Sequence, residues 1–192
     1  MSFLPTFELG LWNAWILMLV YILHPLIMLV VDKAVGTGKI FKKMGDAPTD
    51  KREKRDNIIA MVILFLLILY SIFLPLKAGA SWFYAGLAIW LVGLVMFLAA
   101  IVNVAATPAG QVFKKGMYRY SRHPLYISVS AIFLGVGVAS TSWVFMFLTA
   151  IYIILQNSQA DAEERGCLNT YGEEYKEYMN RTPRWMGIPK SR

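Results

Sequence analysis

The sequence predicts an all-α integral membrane protein of about five transmembrane helices, on three observations. Hydrophobic residues make up 57% and charged residues 16% of the 192, more apolar surface than a small soluble domain can bury. Four stretches, Leu9 to Val31, Asn57 to Leu76, Ala78 to Phe113 and His123 to Ala160, contain no Asp, Glu, Lys or Arg. Each is long enough to cross a hydrocarbon core of about 30 Å, which takes about 20 helical residues. The basic residues, finally, are gathered into the segments that join these stretches on one side.

The first helix is expected over 11–31, with Pro25 removing a backbone hydrogen bond and kinking it beside His24. Neutral His24 has a structural use there, donating to the freed carbonyl, and as an ionisable group within a membrane segment it is also a functional candidate. The second and third helices are expected over 57–75 and 82–106. The last apolar stretch is too long for one crossing. Its Ala139-Ser140-Thr141-Ser142 cluster supplies small, polar turn residues, so it divides into helices over 124–139 and 142–160 in a tight hairpin. Residues 1–106 form a scaffold and 107–192 a catalytic region ending in a cytoplasmic segment. Asn103, Gln156 and Asn157, near the ends of the third and fifth helices, suit interhelical hydrogen bonding or a polar cofactor edge.

Lys and Arg number eight in 32–56, four in 107–123 and six in 161–192, leaving Lys77 alone. Basic flanks stay in the cytoplasm, which puts the N-terminus outside, the C-terminus inside and the catalytic face of a multi-pass protein in the cytoplasm. The net charge of +7 then follows from topology and attraction to anionic lipid, with no nucleic acid needed. No positive residue precedes the long first apolar segment, so it is expected to persist rather than be cleaved. Cys167 is the sole cysteine and excludes an internal disulfide. No metal site is expected, since His24 and His123 lie at different depths. Gly36-Thr37-Gly38-Lys39 is not a phosphate-binding loop, which needs a glycine where Lys33 stands.

Chemistry concentrates from Gly116 to Tyr126, where basic and aromatic residues interleave: Gly116-Met117-Tyr118-Arg119-Tyr120-Ser121-Arg122-His123-Pro124-Leu125-Tyr126. Pro124 suits the first turn of a helix, whose free amides and positive dipole end favour an anion beside Arg122 and His123. The hairpin returns the chain to its starting level, so His123 and the acids Asp161, Glu163 and Glu164 are expected in one layer. Alone, Arg119 and Arg122 read as ordinary flanking charges, Glu163 and Glu164 as a solvated helix end paired with Arg165, and the aromatic residues as an interfacial belt. Together they offer an anion-binding end, a cation-binding end and an aromatic wall. S-adenosylmethionine, with its carboxylate, ammonium, ribose diol and sulfonium, needs all three.

The ordered set Gly116-x-Tyr118-x3-Arg122-His123-Pro124-x-Tyr126, a hydrophobic hairpin, Glu163-Glu164, then Tyr171-Gly172-x2-Tyr175-x2-Tyr178-x4-Pro183-Arg184 resembles the isoprenylcysteine carboxyl methyltransferase and phospholipid methyltransferase superfamily. The resemblance covers about 116–189, the earlier residues matching in hydropathy only. It implies that Arg122, His123, Tyr126 and Glu163 or Glu164 contact S-adenosylmethionine. It further implies that Arg184, with Tyr175 and Tyr178, meets a lipophilic substrate entering from the bilayer, Arg184 orienting its reacting end. Ser128 and Cys167 depart from the glycine and leucine common at those positions, and Gly135 and Gly137 serve close helix packing.

The expected activity is methyl transfer to a prenylcysteine-type carboxylate, a phospholipid amine or a lipophilic thiol. Such an in-line displacement chiefly requires two reactants held in attack geometry. Two other classes fit parts of the pattern. A nicotinamide-dependent sterol-type reductase also carries an Arg-His-Pro-like segment, and a non-enzymatic transporter or assembly subunit would use His24, Asn103 and Gln156 to line a path.

Overall fold

A computed structural model describes residues 8–35 and 50–190, so Gly36-Thr37-Gly38-Lys39 lies outside the described residues. Apart from an isolated β-bridge between Asn13 and Pro75, every regular element among the described residues is helical: α1 (Trp15–Ile22), α2 (His24–Val35), α3 (Lys51–Ser71), α4 (Ser81–Ala106), a 3₁₀ turn (Gly116–Arg119), α5 (Pro124–Ala139), α6 (Trp143–Tyr171) and α7 (Glu173–Arg181).

The first expected helix is two, bent by 48° at Leu23. Pro25 has no N–H to offer the carbonyl of Tyr21. His24 Nδ1 takes its place at 2.6 Å from that oxygen, and the ring stacks on Tyr21 with centroids 4.9 Å apart. The second helix begins earlier than its apolar run and ends sooner. Asp50 and Glu53 form a reciprocal capping box around its charged first turn, which satisfies two orphan amides and draws the start back to Lys51. The third and fourth helices fall at Ser81–Ala106 and Pro124–Ala139, close to their expected limits.

The hairpin turns at Ser140-Thr141-Ser142, where Thr141 adopts φ 50° and the Ser142 hydroxyl accepts from the Phe145 amide. Here the expected end of the fifth helix at 160 is corrected. α6 runs 29 residues to Tyr171 and stops at Gly172, whose φ of 55° suits glycine. At about 1.5 Å per residue, α6 is some 44 Å long against about 24 Å for α5, so its last turns project past its partner and carry the acids with them. The 3₁₀ turn and α7 were not expected.

α4 and α5 make the tightest seam. A Cβ on Gly86 would lie 2.2 Å from Ala139 N, and one on Gly135 would lie 2.6 Å from Trp90 N. Gly137 faces α6 instead, where a Cβ would meet Met146 Cγ at 2.7 Å. Trp90 Nε1 donates to Leu17 O at 2.9 Å, tying α4 to α1. One end of the bundle is closed by Asn13, whose Nδ2 donates to Ile72 O at 2.7 Å, and by Ala14 N donating to Leu74 O at 2.8 Å. At the other end Arg165 of α6 pairs with Glu53 of α3 at 2.5 Å, and the Ser158 hydroxyl donates to Asp56 at 2.6 Å. Arg165 therefore serves the α3 contact rather than Glu163 and Glu164.

By length and composition α4 and α6 are able to cross a membrane, and the bent pair α1–α2 makes a third crossing if it is one span. α5 is too short for that test at 16 residues. Ile58, Met61, Val62, Phe65, Val92, Val95, Phe147 and Ile154 are exposed on the outer faces, an apolar girdle of the kind that marks a membrane or protein contact.

Gly86→Ala should lower stability by about 1–3 kcal/mol or more, because the methyl group strikes backbone rather than a side chain able to turn away. Thermal unfolding in detergent checks this, and an unchanged transition would contradict the seam.

Candidate active site

The polar groups gather where the loop before α5, the overhanging part of α6 and residues 182–190 meet. Pro124 occupies the first turn of α5 and leaves His123 as the residue preceding the helix. His123 is 3% exposed. Its Nε2 lies 2.9 Å from Glu164 Oε1 and its Nδ1 3.4 Å from Glu163 Oε2. One imidazole thus spans two consecutive carboxylates, and only the protonated ring can donate to both. Tyr126, one turn along α5, stacks on His123 with centroids 5.4 Å apart and places its hydroxyl within hydrogen-bonding reach of Glu163.

Glu164 is the hub. Besides His123, it has Arg122 Nη1 at 3.3 Å and Arg184 Nε at 3.4 Å from the same oxygen. These are ion pairs without hydrogen-bond alignment: Arg122 Nε and Nη1 and Arg184 Nε are buried and hydrogen-bond to nothing among the described residues. Arg184 also pairs with Asp161 and lies 5.8 Å over the Trp185 ring, which in turn sits 5.7 Å from His123. Glu163 differs from its neighbour, its side chain being 42% exposed against 11% for Glu164.

The expected residues Arg122, His123, Tyr126, Glu163, Glu164 and Arg184 are therefore one cluster. Tyr175 and Tyr178 lie beneath it. They are 5% and 6% exposed and pack with Val112, Cys167 and Leu168. The Tyr178 hydroxyl donates to Tyr118 O at 2.6 Å, holding the 3₁₀ turn. Asn103 donates to its own helix at Ala99 O and fills the space a Gly116 side chain would need. Asn157 is exposed and donates to Ile154 O. Gln156 accepts from the Ser130 hydroxyl at 3.1 Å, between α5 and α6.

Two further residues take part in the site. The Ser121 hydroxyl accepts from His123 N at 3.0 Å and donates to Arg184 O at 3.2 Å, joining the two basic arms of the site. Its signal was a serine two residues ahead of an X-Pro helix start, a position from which a hydroxyl reaches the local backbone. Trp185 had no signal beyond following Arg184. The arms are further held by Arg122 N donating to Pro183 O at 3.0 Å and Gly187 N to Tyr120 O at 3.0 Å.

Burial favours neutral His123, but hydrogen bonds and attraction from Glu163 and Glu164 outweigh it and raise its pKa above the usual 6.5. The folded value lies above the unfolded one, so the stabilisation is complete below about 6.5 and disappears as pH rises through the folded value. Chemical denaturation from pH 6 to 9 should show the wild type losing stability relative to His123→Gln. A constant difference across that range would show that the imidazole does not change charge.

Comparison with known proteins adds one match: a family described as a protein of unknown function, DUF1295, matches residues 39–182. No curated protein matches the sequence.

Proposed function

The chain belongs to the DUF1295 family, and on that footing we propose that it is a multi-pass membrane methyltransferase using S-adenosylmethionine and a lipophilic acceptor. In this reading the bundle crosses the bilayer five times, α3 and α5 completing the crossings, with the N-terminus outside and the His123 end in the cytoplasm. The observation that carries the reading is the set of buried, unsatisfied guanidinium N–H groups on Arg122 and Arg184 beside a half-exposed Glu163. Buried donors without acceptors are costly. Three basic groups surround the Glu164 carboxylate, with Glu163 and Asp161 as their further partners, and it is the guanidinium N–H groups without acceptors that a ligand carboxylate would satisfy. Glu163, the more exposed of the two acids although bridged to His123, would take an ammonium or ribose hydroxyls, while Glu164 holds the cations in place.

When bound, S-adenosylmethionine supplies an electrophilic methyl group on a sulfonium. The residues position and shield. Arg122 takes the carboxylate through charge-assisted hydrogen bonds. Tyr126 and Trp185 place aromatic rings beside His123, suited to a sulfonium by cation–π attraction. Arg184, whose side chain is 27% exposed against 11% for Arg122, orients the acceptor for in-line attack. An ionised carboxylate needs no base, whereas an amine must first lose a proton. The rate on an amine acceptor should therefore rise with pH through the amine's ionisation while that on a carboxylate stays level, as a radiolabelled-methyl assay on lipid extract with product identification would reveal.

Isothermal calorimetry in detergent tests the cofactor site. S-adenosylhomocysteine should bind at micromolar concentration, Glu163→Gln with Glu164→Gln should weaken it by about tenfold or more, and Lys77→Gln should leave it unchanged. Equal losses in both variants would remove the assignment, and binding of a nicotinamide instead would favour a reductase.

A further inference from the structure

A second polar cavity, of about 460 Å³, opens between the loop ahead of the 3₁₀ turn, α7 and the tail. Its lining is Lys114, Arg119, Arg181 and Lys190, with Glu174 and Glu177, and with Tyr178, Thr182 and Pro189 as floor. No residue of it belongs to the His123 cluster, and nothing about it requires methyl transfer.

The charges do not cancel. Lys114 pairs with Glu174 at 2.6 Å and Arg181 with Glu177, so each carboxylate is already used. Arg119 and Lys190 have no carboxylate within ion-pair distance among the described residues. They come from two segments far apart in sequence, brought to one cavity by backbone bonds. Tyr120 N donates to Met117 O and closes the 3₁₀ turn that carries Arg119, and Lys190 N donates to Arg181 O at 2.9 Å. Two cations held on different walls suit an anion whose oxygens point in several directions. A phosphoryl group does this, and the arginine fork can grip two of its oxygens while lysine acts as a point charge. The volume exceeds what a bare phosphate fills and lies within the range of small-molecule sites, about 300–1,000 Å³, leaving room for an organic remainder against the Tyr178 ring and Pro189.

We propose that this cavity is a phosphoryl-binding site, with Arg119 and Lys190 as the ligand's direct partners and the Lys114–Glu174 and Arg181–Glu177 pairs as its frame. The phosphoryl group comes from a lipid headgroup at the bilayer surface or from a soluble phosphate ester, and both sources present the same chemistry to these residues.

The test is calorimetric titration of the full chain in neutral detergent with three probes: short-chain phosphatidylglycerol, inorganic phosphate, and a short-chain diacylglycerol without phosphate. The phosphoryl probes should bind and the diacylglycerol should not. Arg119→Gln with Lys190→Gln should weaken binding by about tenfold or more, Arg119→Lys should retain part of it, and Lys77→Gln should equal the wild type. Thermal unfolding of each variant verifies its fold. Lipid binding without phosphate binding assigns the headgroup, and phosphate that binds and displaces the lipid assigns a soluble ester. Binding of neither phosphoryl probe, equal binding of the diacylglycerol, or an unchanged double variant would overturn the proposal.

Discussion

The contact between His123 and Glu164, 41 residues apart in sequence, is the interaction from which the rest of the polar end is organised. It exists because α5 and α6 fold back on a three-residue turn and because α6 does not stop where its apolar run stops. Had the helix ended at Ala160, the acids would sit on a loop with freedom to face water. Carried on a continuous helix, Glu163 and Glu164 instead present two oxygens to one imidazole, and the stacked Tyr126 ring and the tilted Trp185 ring restrict where that imidazole can turn.

The cost of such an arrangement explains its surroundings. A nearly buried carboxylate is tolerated only when paired and hydrogen-bonded, and Glu164 is met by three basic groups from two other segments. Those segments must therefore be held rigidly. The Ser121 hydroxyl, the Arg122–Pro183 and Tyr120–Gly187 backbone bonds and the Tyr178 hydroxyl under Tyr118 do so. Tyr178 thus contributes by fixing a turn, which gives its aromatic ring and hydroxyl a structural reason to be there. The small-residue seam between α4 and α5 acts at the same remove, setting the depth at which Pro124 starts its helix.

Polar residues elsewhere divide by what they satisfy. His24 repairs the hydrogen bond Pro25 takes away, and Asn103 caps a carbonyl of its own helix. Asp56 and Glu53, nearly buried, bind α3 to α6 through Ser158 and Arg165. Each has a local backbone or interhelical partner that accounts for its position. Arg122 Nε and Nη1 and Arg184 Nε have no hydrogen-bond partner among the described residues, as is also true of Thr149 Oγ1 and Gln156 Nε2 within the bundle, and what sets the candidate active site apart is that its orphan donors lie beside Glu164.

The helical class, the hairpin and its turn and the limits of α4 and α5 were legible in the sequence, because each follows from local pattern: apolar run length, a proline at a helix start, small polar residues at a turn; Tyr126 and Arg184 entered the candidate site only through the family resemblance. Three features were hidden. The early start of α3 depended on a capping box of charged residues that a hydropathy reading passes over, and the extension of α6 and the existence of α7 occur in stretches too polar to register as spans. Which acid is the hub, and that the Tyr178 hydroxyl holds the 3₁₀ turn, could be decided only in three dimensions. Adjacent residues such as Glu163 and Glu164 carry the same chemistry in sequence, and it is the packing of two distant segments around one turn of α6 that buries one carboxylate among cations and leaves the other facing outward.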